Sequence, residues 1–129
     1  MYVEYLPRYL TSVLVEETEV GVVITWKLGD LVPASTVLHF GYEVACTDLD
    51  GKGGKRFGVK FPSPSAYTWD SESDAHVDYE ADHINASDEA IIVYFRSANV
   101  GPREVGVVHG ASHVNGVDGQ REFPVVLLR

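Results

Sequence analysis

The chain has 129 residues, of which 45% are hydrophobic and 22% charged, and 19 acidic against 10 basic side chains give a formal charge of −9. That balance excludes a basic footprint for nucleic acid and predicts repulsion from anionic membranes. The length fits one domain, 1–129, large enough to build a core without staples, and a single cysteine, Cys46, excludes an internal disulfide. No stretch approaches the ~18 apolar residues of a membrane helix. The opening Met1-Tyr2-Val3-Glu4-Tyr5-Leu6 has no basic region leading into an apolar run. A cytoplasmic or other intracellular location is therefore the expectation.

Alternation of period two dominates the chain, and helical periodicity is nearly absent. Val13 and Val15 open a short first strand. Val20, Val22, Ile24, Trp26 and Leu28 line one face of a second, which Gly29-Asp30 and Pro33 punctuate. Leu38, Phe40, Tyr42, Val44 and Cys46 alternate with polar or small residues. After a Gly-rich loop, Phe57, Val59 and Phe61 resume the pattern, which predicts a β-hairpin ended by Pro62 and Pro64.

Between Asp70 and Asp82 every second residue is acidic, with His76 filling the one gap: Asp70, Glu72, Asp74, His76, Asp78, Glu80, Asp82. A strand would set all seven on one face, about 7 Å apart, with Ala75, Val77, Tyr79 and Ala81 turned inward. Such a row is solvated and balanced by Lys27, Arg56 or Lys60 on neighbouring strands, docked on a cationic partner, or holding a cation, although side chains from one extended strand do not converge as a hard cation needs. Asn85 to Asp88 reads as a turn, and Ile91, Val93 and Phe95 as a central strand. Asn99-Val100-Gly101-Pro102 turns the chain into a returning strand through Val105, Val107 and His109. Gly110 to Gln120 is turn-rich, and residues 121–128 form a last strand. Pro124 cannot donate to a ladder, so that strand lies at a sheet edge or joins one late. Seven to nine short strands predict an all-β, two-sheet antiparallel sandwich, with an up-and-down barrel as the alternative.

Val20-Gly-Val-Val-Ile-Thr-Trp26 is similar to the second strand of fibronectin type III modules, with its core tryptophan. Tyr42-Glu-Val44 is similar to their third strand, and Ile91-x-Val93-x-Phe95-x-Ser97-x-Asn99-Val-Gly101 to their sixth strand and the turn after it. Residues 11–110 thus resemble a fibronectin type III or related immunoglobulin-like module. Ile91 stands where that family carries the tyrosine of its corner motif, and the turn is one residue short. The resemblance implies an immunoglobulin-like sandwich and a role in recognition or spacing.

Metal chemistry has thin support. Asp48-x-Asp50-Gly51-x-Gly53 opens like a calcium loop, but Lys52 and Val59 occupy positions that need oxygen ligands. His109 and His113, with Asp118 as a third candidate, would suit zinc on a helix, yet they straddle an expected loop. No nucleophile elbow, phosphate loop or dinucleotide fingerprint occurs. Tyr67 and Trp69, set among prolines and serines, read as loop-borne aromatics, either folded over the sandwich end or offering a ligand platform. The expectation is a non-enzymatic binding or assembly module without a cofactor. It acts through the acidic strand and the sheet edges on a basic protein partner, on a second copy, or within a larger particle. The alternatives are a carbohydrate- or metal-binding domain and an enzyme with a dispersed site.

Overall fold

A computed structural model describes residues 5–33, 36–50, 53–101, 107–119 and 123–129. The first strands are β1 (Arg8–Thr18), β2 (Gly21–Leu31), β3 (Phe40–Thr47) and β4 (Gly54–Phe61). They are followed by β5 (Ser65–Asp70), β6 (Ala75–Tyr79), β7 (Ile84–Ala86) and β8 (Ala90–Arg96). The chain closes with β9 (Val107–Val114), β10 (Val117–Asp118) and β11 (Val125–Leu128). One sheet has the order β11-β1-β2-β8-β7 and the other β10-β9-β3-β4-β5-β6. The protein is thus an all-β, two-sheet sandwich, as expected, with more strands than the seven to nine predicted and with open edges that a barrel would lack.

Several elements depart from the sequence reading because ladder pairing overrides local turn residues. β1 is eleven residues long, and β2 continues through Gly29 and Asp30 to Leu31. Asn85 and Ala86, expected in a turn, end strand β7, and the turn begins at Ser87, whose amide donates to the Ala90 carbonyl at 2.9 Å. Val105 lies outside the described residues. The segment beyond it does not return beside β8: β8 pairs with β2 and β7, whereas β9 crosses to β3 in the other sheet. β9 also runs on through the supposed loop to Val114, where Asn115 and Gly116, with φ of 52° and 79°, make a two-residue hairpin turn into β10. Asn115 fixes this turn from its side chain. Its Oδ1 accepts from the Leu38 and His39 amides at 2.7 and 3.2 Å, and its Nδ2 donates to Thr36 O at 2.8 Å.

The edge position expected of the last strand holds. β11 is outermost, parallel to β1, and the Val13 amide donates to the carbonyl of Pro124 at 2.9 Å.

The inward residues within the strands are those the alternation names, but Val20 and Leu38, expected on the same faces, precede β2 and β3 and are 65% and 70% exposed. Val22, Ile24 and Trp26 from β2 meet Val44, Cys46, Phe57 and Val59 from the facing sheet, all fully buried. Each such side chain contributes about 1.5–3 kcal/mol by leaving water. Phe57 packs edge-on against Phe95 at 5.1 Å between ring centres, and Phe40 stacks on its register partner Phe61 at the same distance. Tyr42 joins the two sheets, since its hydroxyl accepts from the Arg8 amide at 2.9 Å and donates to the Arg8 carbonyl at 3.2 Å.

Candidate binding face

Tyr67 and Trp69 are carried by β5, not by a loop. Ala66 and Thr68 are its buried residues, so strand alternation turns Tyr67 and Trp69 to the outer face of the six-stranded sheet. Gly58 faces Tyr67 across the ladder, and a Cβ there would lie 2.3 Å from Cζ of the tyrosine. The ring therefore rests on backbone that only glycine leaves bare. His76 of β6 stacks on Tyr67 at 5.6 Å with an interplanar angle of 6°, and Lys60 Nζ stands 4.9 Å from the same ring. The Tyr67 hydroxyl donates to Glu43 Oε2 on β3. Burial, and then that carboxylate, pushes the phenol far above its ordinary range, so it stays a donor. Trp69 is held in the same manner. The Arg56 guanidinium lies 5.4 Å from its ring, and its Nε1–H donates to Asp74 at 2.8 Å. Arg56 also approaches Glu43 at 3.8 Å, which links the two aromatic clusters.

The acidic row does not form one extended face. The chain turns at Ser71–Asp74, and Asp74 has φ 53°, a left-handed conformation that aspartate tolerates. Asp70 pairs with Ala75, and Trp69 with His76, so Asp70 points opposite to His76 and Asp78. Its carboxylate accepts the Glu72 and Ser73 amides at 2.9 and 3.3 Å and thereby closes the turn. Glu72 sits in that turn, Glu80 follows β6, and Asp82 falls in a 3-10 turn over Ala81–His83. The expected arrangement survives only in part, over β6, where Ala75 and Val77, expected to pack inward, are exposed. There His76 and Asp78 face outward, joined at 2.8 Å, while Tyr79 turns inward to meet Phe95 edge-on at 5.4 Å. The expected counter-ions are also elsewhere: Arg56 and Lys60 cover the aromatic rings, and Lys27 lies on the other sheet.

His109 and His113 both lie on β9, on the outer parity, opposite Ala45 and Gly41. Four residues along a strand separate them by roughly 13 Å, too far for one zinc ion with ligands near ~2.1 Å. Register sets Asp118 opposite His113 but away from His109. The histidine pair is thus not brought together by the fold, and among the described residues no group of three His, Cys, Asp or Glu side chains is placed to hold a metal. In the calcium-like loop, Asp48 Oδ2 accepts the Gly53 amide at 3.2 Å, while Gly51 and Lys52 lie outside the described residues.

A groove of about 290 Å³ runs beside Trp69. Ala45 and Gly54 line its small-residue part, and Arg56, Trp69 and His109 stand along it. Glu43, Gly58 and the groove-lining Ala45 were not singled out from sequence. The signal was the outward set Gly41, Glu43, Ala45 and Arg56, Gly58, Lys60 on two predicted strands, which has meaning only once β5 is known to be their neighbour.

Comparison with known proteins finds no matching family model, no similar curated protein and no similar solved structure. No helix among the described residues is long and apolar enough to cross a membrane.

Proposed function

We propose that the chain is a non-enzymatic binding and assembly module of immunoglobulin-like kind. Its contact surface is the outer face of the six-stranded sheet, centred on Trp69 and the groove beside it. The strand orders support the module assignment. β1-β2-β8-β7 parallels the four-stranded sheet of such modules, and β10-β9-β3-β4-β5 the five-stranded sheet of their variable type, with β6 and β11 as additions. On this reading the Ile91–Phe95 strand takes the fifth place, not the sixth suggested by its motif.

The observation that carries the functional reading is the locked Arg56–Trp69–Asp74 group at the groove. Tryptophan and arginine, already ordered before contact, are the residue types that anchor protein interfaces, because little rotamer freedom remains to be lost. Among the described residues the groove is lined by Lys55 and Arg56 and by no carboxylate, with Asp74 and Asp78 beyond its Trp69 side, so a partner of mixed charge that sets a basic group towards those aspartates fits it. A carbohydrate would need open ring faces for stacking. Here Tyr67 lies between Gly58, His76 and Lys60, and Arg56 already covers Trp69. A polypeptide partner therefore fits better than a sugar.

Peptide-display selection on the immobilised protein tests this. Enriched peptides should carry basic residues and lose binding to the Trp69→Ala variant. Enrichment indifferent to that substitution contradicts the reading, and glycan-array binding that Trp69→Ala abolishes would favour the carbohydrate alternative.

A further inference from the structure

The outer face of the other sheet has a different character. Along its central row, register aligns Val126, Leu14, Thr25, Ile92 and Asn85 across all five strands. The next row aligns Leu128, Glu16, Val23 and Tyr94. These residues alternate with the buried Val13, Val15, Ile24, Val93 and Phe95, so they point away from the core. Val126 is 49% exposed, Leu128 52% and Ile92 38%, an apolar band that water would cover in a lone molecule.

Charge separates this face from the rest of the chain. Its strands turn outward one acidic side chain, Glu16, and two basic ones, Lys27 and Arg96, a formal balance of +1 in a chain of −9. Two copies can meet here without the repulsion that opposes contact elsewhere. We propose that this face is a two-fold interface with a second copy of the chain. A two-fold axis crossing the strands at the Thr25 row stacks the central row on itself. It also brings Glu16 of each copy next to Lys27 of its mate, because those residues flank the Thr25 row on adjacent strands. The patch spans about 20 Å by 20 Å from strand spacing and rise. That is about 400 Å² per copy, roughly 800 Å² in all and below the standard interface size, so the dimer is a weak one that forms at high protein concentration. The face lies on the opposite side of the sandwich from Trp69, so a dimer leaves the proposed binding face open.

Sedimentation velocity across a concentration series tests the proposal. The wild type should pass from monomer to dimer. Ile92→Asp, at an exposed position, should keep the fold by circular dichroism and weaken the dimer about thirtyfold, equivalent to ~2 kcal/mol. Lys27→Glu should weaken it as well, and Lys27→Glu combined with Glu16→Lys should restore it. Trp69→Ala should leave it unchanged. A strict monomer at every concentration overturns the proposal. So does a dimer that survives Ile92→Asp but is lost with Leu127→Pro, since that dimer pairs through the β11 edge.

Discussion

The ring of Tyr67 lies flat on the backbone of Gly58, its register partner on the adjacent strand. A methyl group at Gly58 would overlap the ring, and the tyrosine is also tied to Glu43, His76 and Lys60. Gly58→Ala should therefore cost about 1–3 kcal/mol by overpacking. Tyr67→Ala in the same chain removes the obstacle, so the double variant should lose less than the sum of the two single changes. Urea unfolding of the four proteins measures the coupling; simple additivity would mean that the ring does not depend on the glycine.

The turn at Asn115 makes a second case. Asn115→Ala removes three hydrogen bonds to residues 36–39 and places alanine at φ 52°. The expected loss is about 2–3 kcal/mol. Asn115→Asp keeps the two accepting bonds and the tolerance for positive φ, so it should lose less. Chemical denaturation distinguishes them, and equal losses would show that the two bonds accepted by Oδ1 contribute nothing.

Carboxylates of the acidic segment should behave unequally, because they do different jobs. Asp70→Ala opens the turn it caps and should cost about 1 kcal/mol. Asp74→Ala frees the Trp69 indole and strains the left-handed position, with a similar loss and a shift in tryptophan emission. Asp78→Asn, on an exposed pair with His76, should change stability by no more than about 0.5 kcal/mol. Thermal unfolding of the three variants checks the order, and a uniform gain on neutralisation would restore the picture of one self-repelling row.

Stability should also fall at high pH through Cys46. Burial pushes its thiol up to about 11, with smaller opposing influences from Arg129 and Glu17. Below pH ~9 the thiol is protonated in both folded and unfolded chains, and its contribution is fully present. As pH climbs from there towards 11 the unfolded chain releases the proton first, so about 2–3 kcal/mol is progressively lost. Tyr42, Tyr67 and Tyr79, all raised first by burial, add to this above pH ~10. Melting temperatures from pH 7 to 10 should decline more steeply for the wild type than for Cys46→Ala. Parallel declines would remove Cys46 from the account.

Elements with uninterrupted alternation were legible. Val22-x-Ile24-x-Trp26 and Phe57-x-Val59-x-Phe61 declared both their state and their buried face, and Pro124 declared an edge. The acidic segment was not legible, because period two is blind to a turn that contains neither glycine nor proline. Ser71 to Asp74 turns through the Asp70 side chain and a left-handed aspartate. Around His109 and His113 the reverse happened: Gly110, Ala111 and Ser112 suggested a loop, yet ladder bonds to β3 hold them extended. Asn115-Gly116 between Val114 and Val117 is a hairpin signal that the sequence does carry. The proposed binding face was hidden for a different reason. Trp69, Arg56, Glu43 and Gly58 lie on three strands and become one surface only through register, which single-strand periodicity does not specify.

Nuclear magnetic resonance titration tests the central claim most directly. Amide shifts of the labelled protein would be followed as a display-selected peptide is added. Shifts should concentrate on Ala45, Gly54, Arg56, Gly58, Trp69 and His76 and weaken in Trp69→Ala. Shifts confined to β1, β2 and β8, or spread evenly over the sandwich, would contradict a recognition surface on the six-stranded sheet.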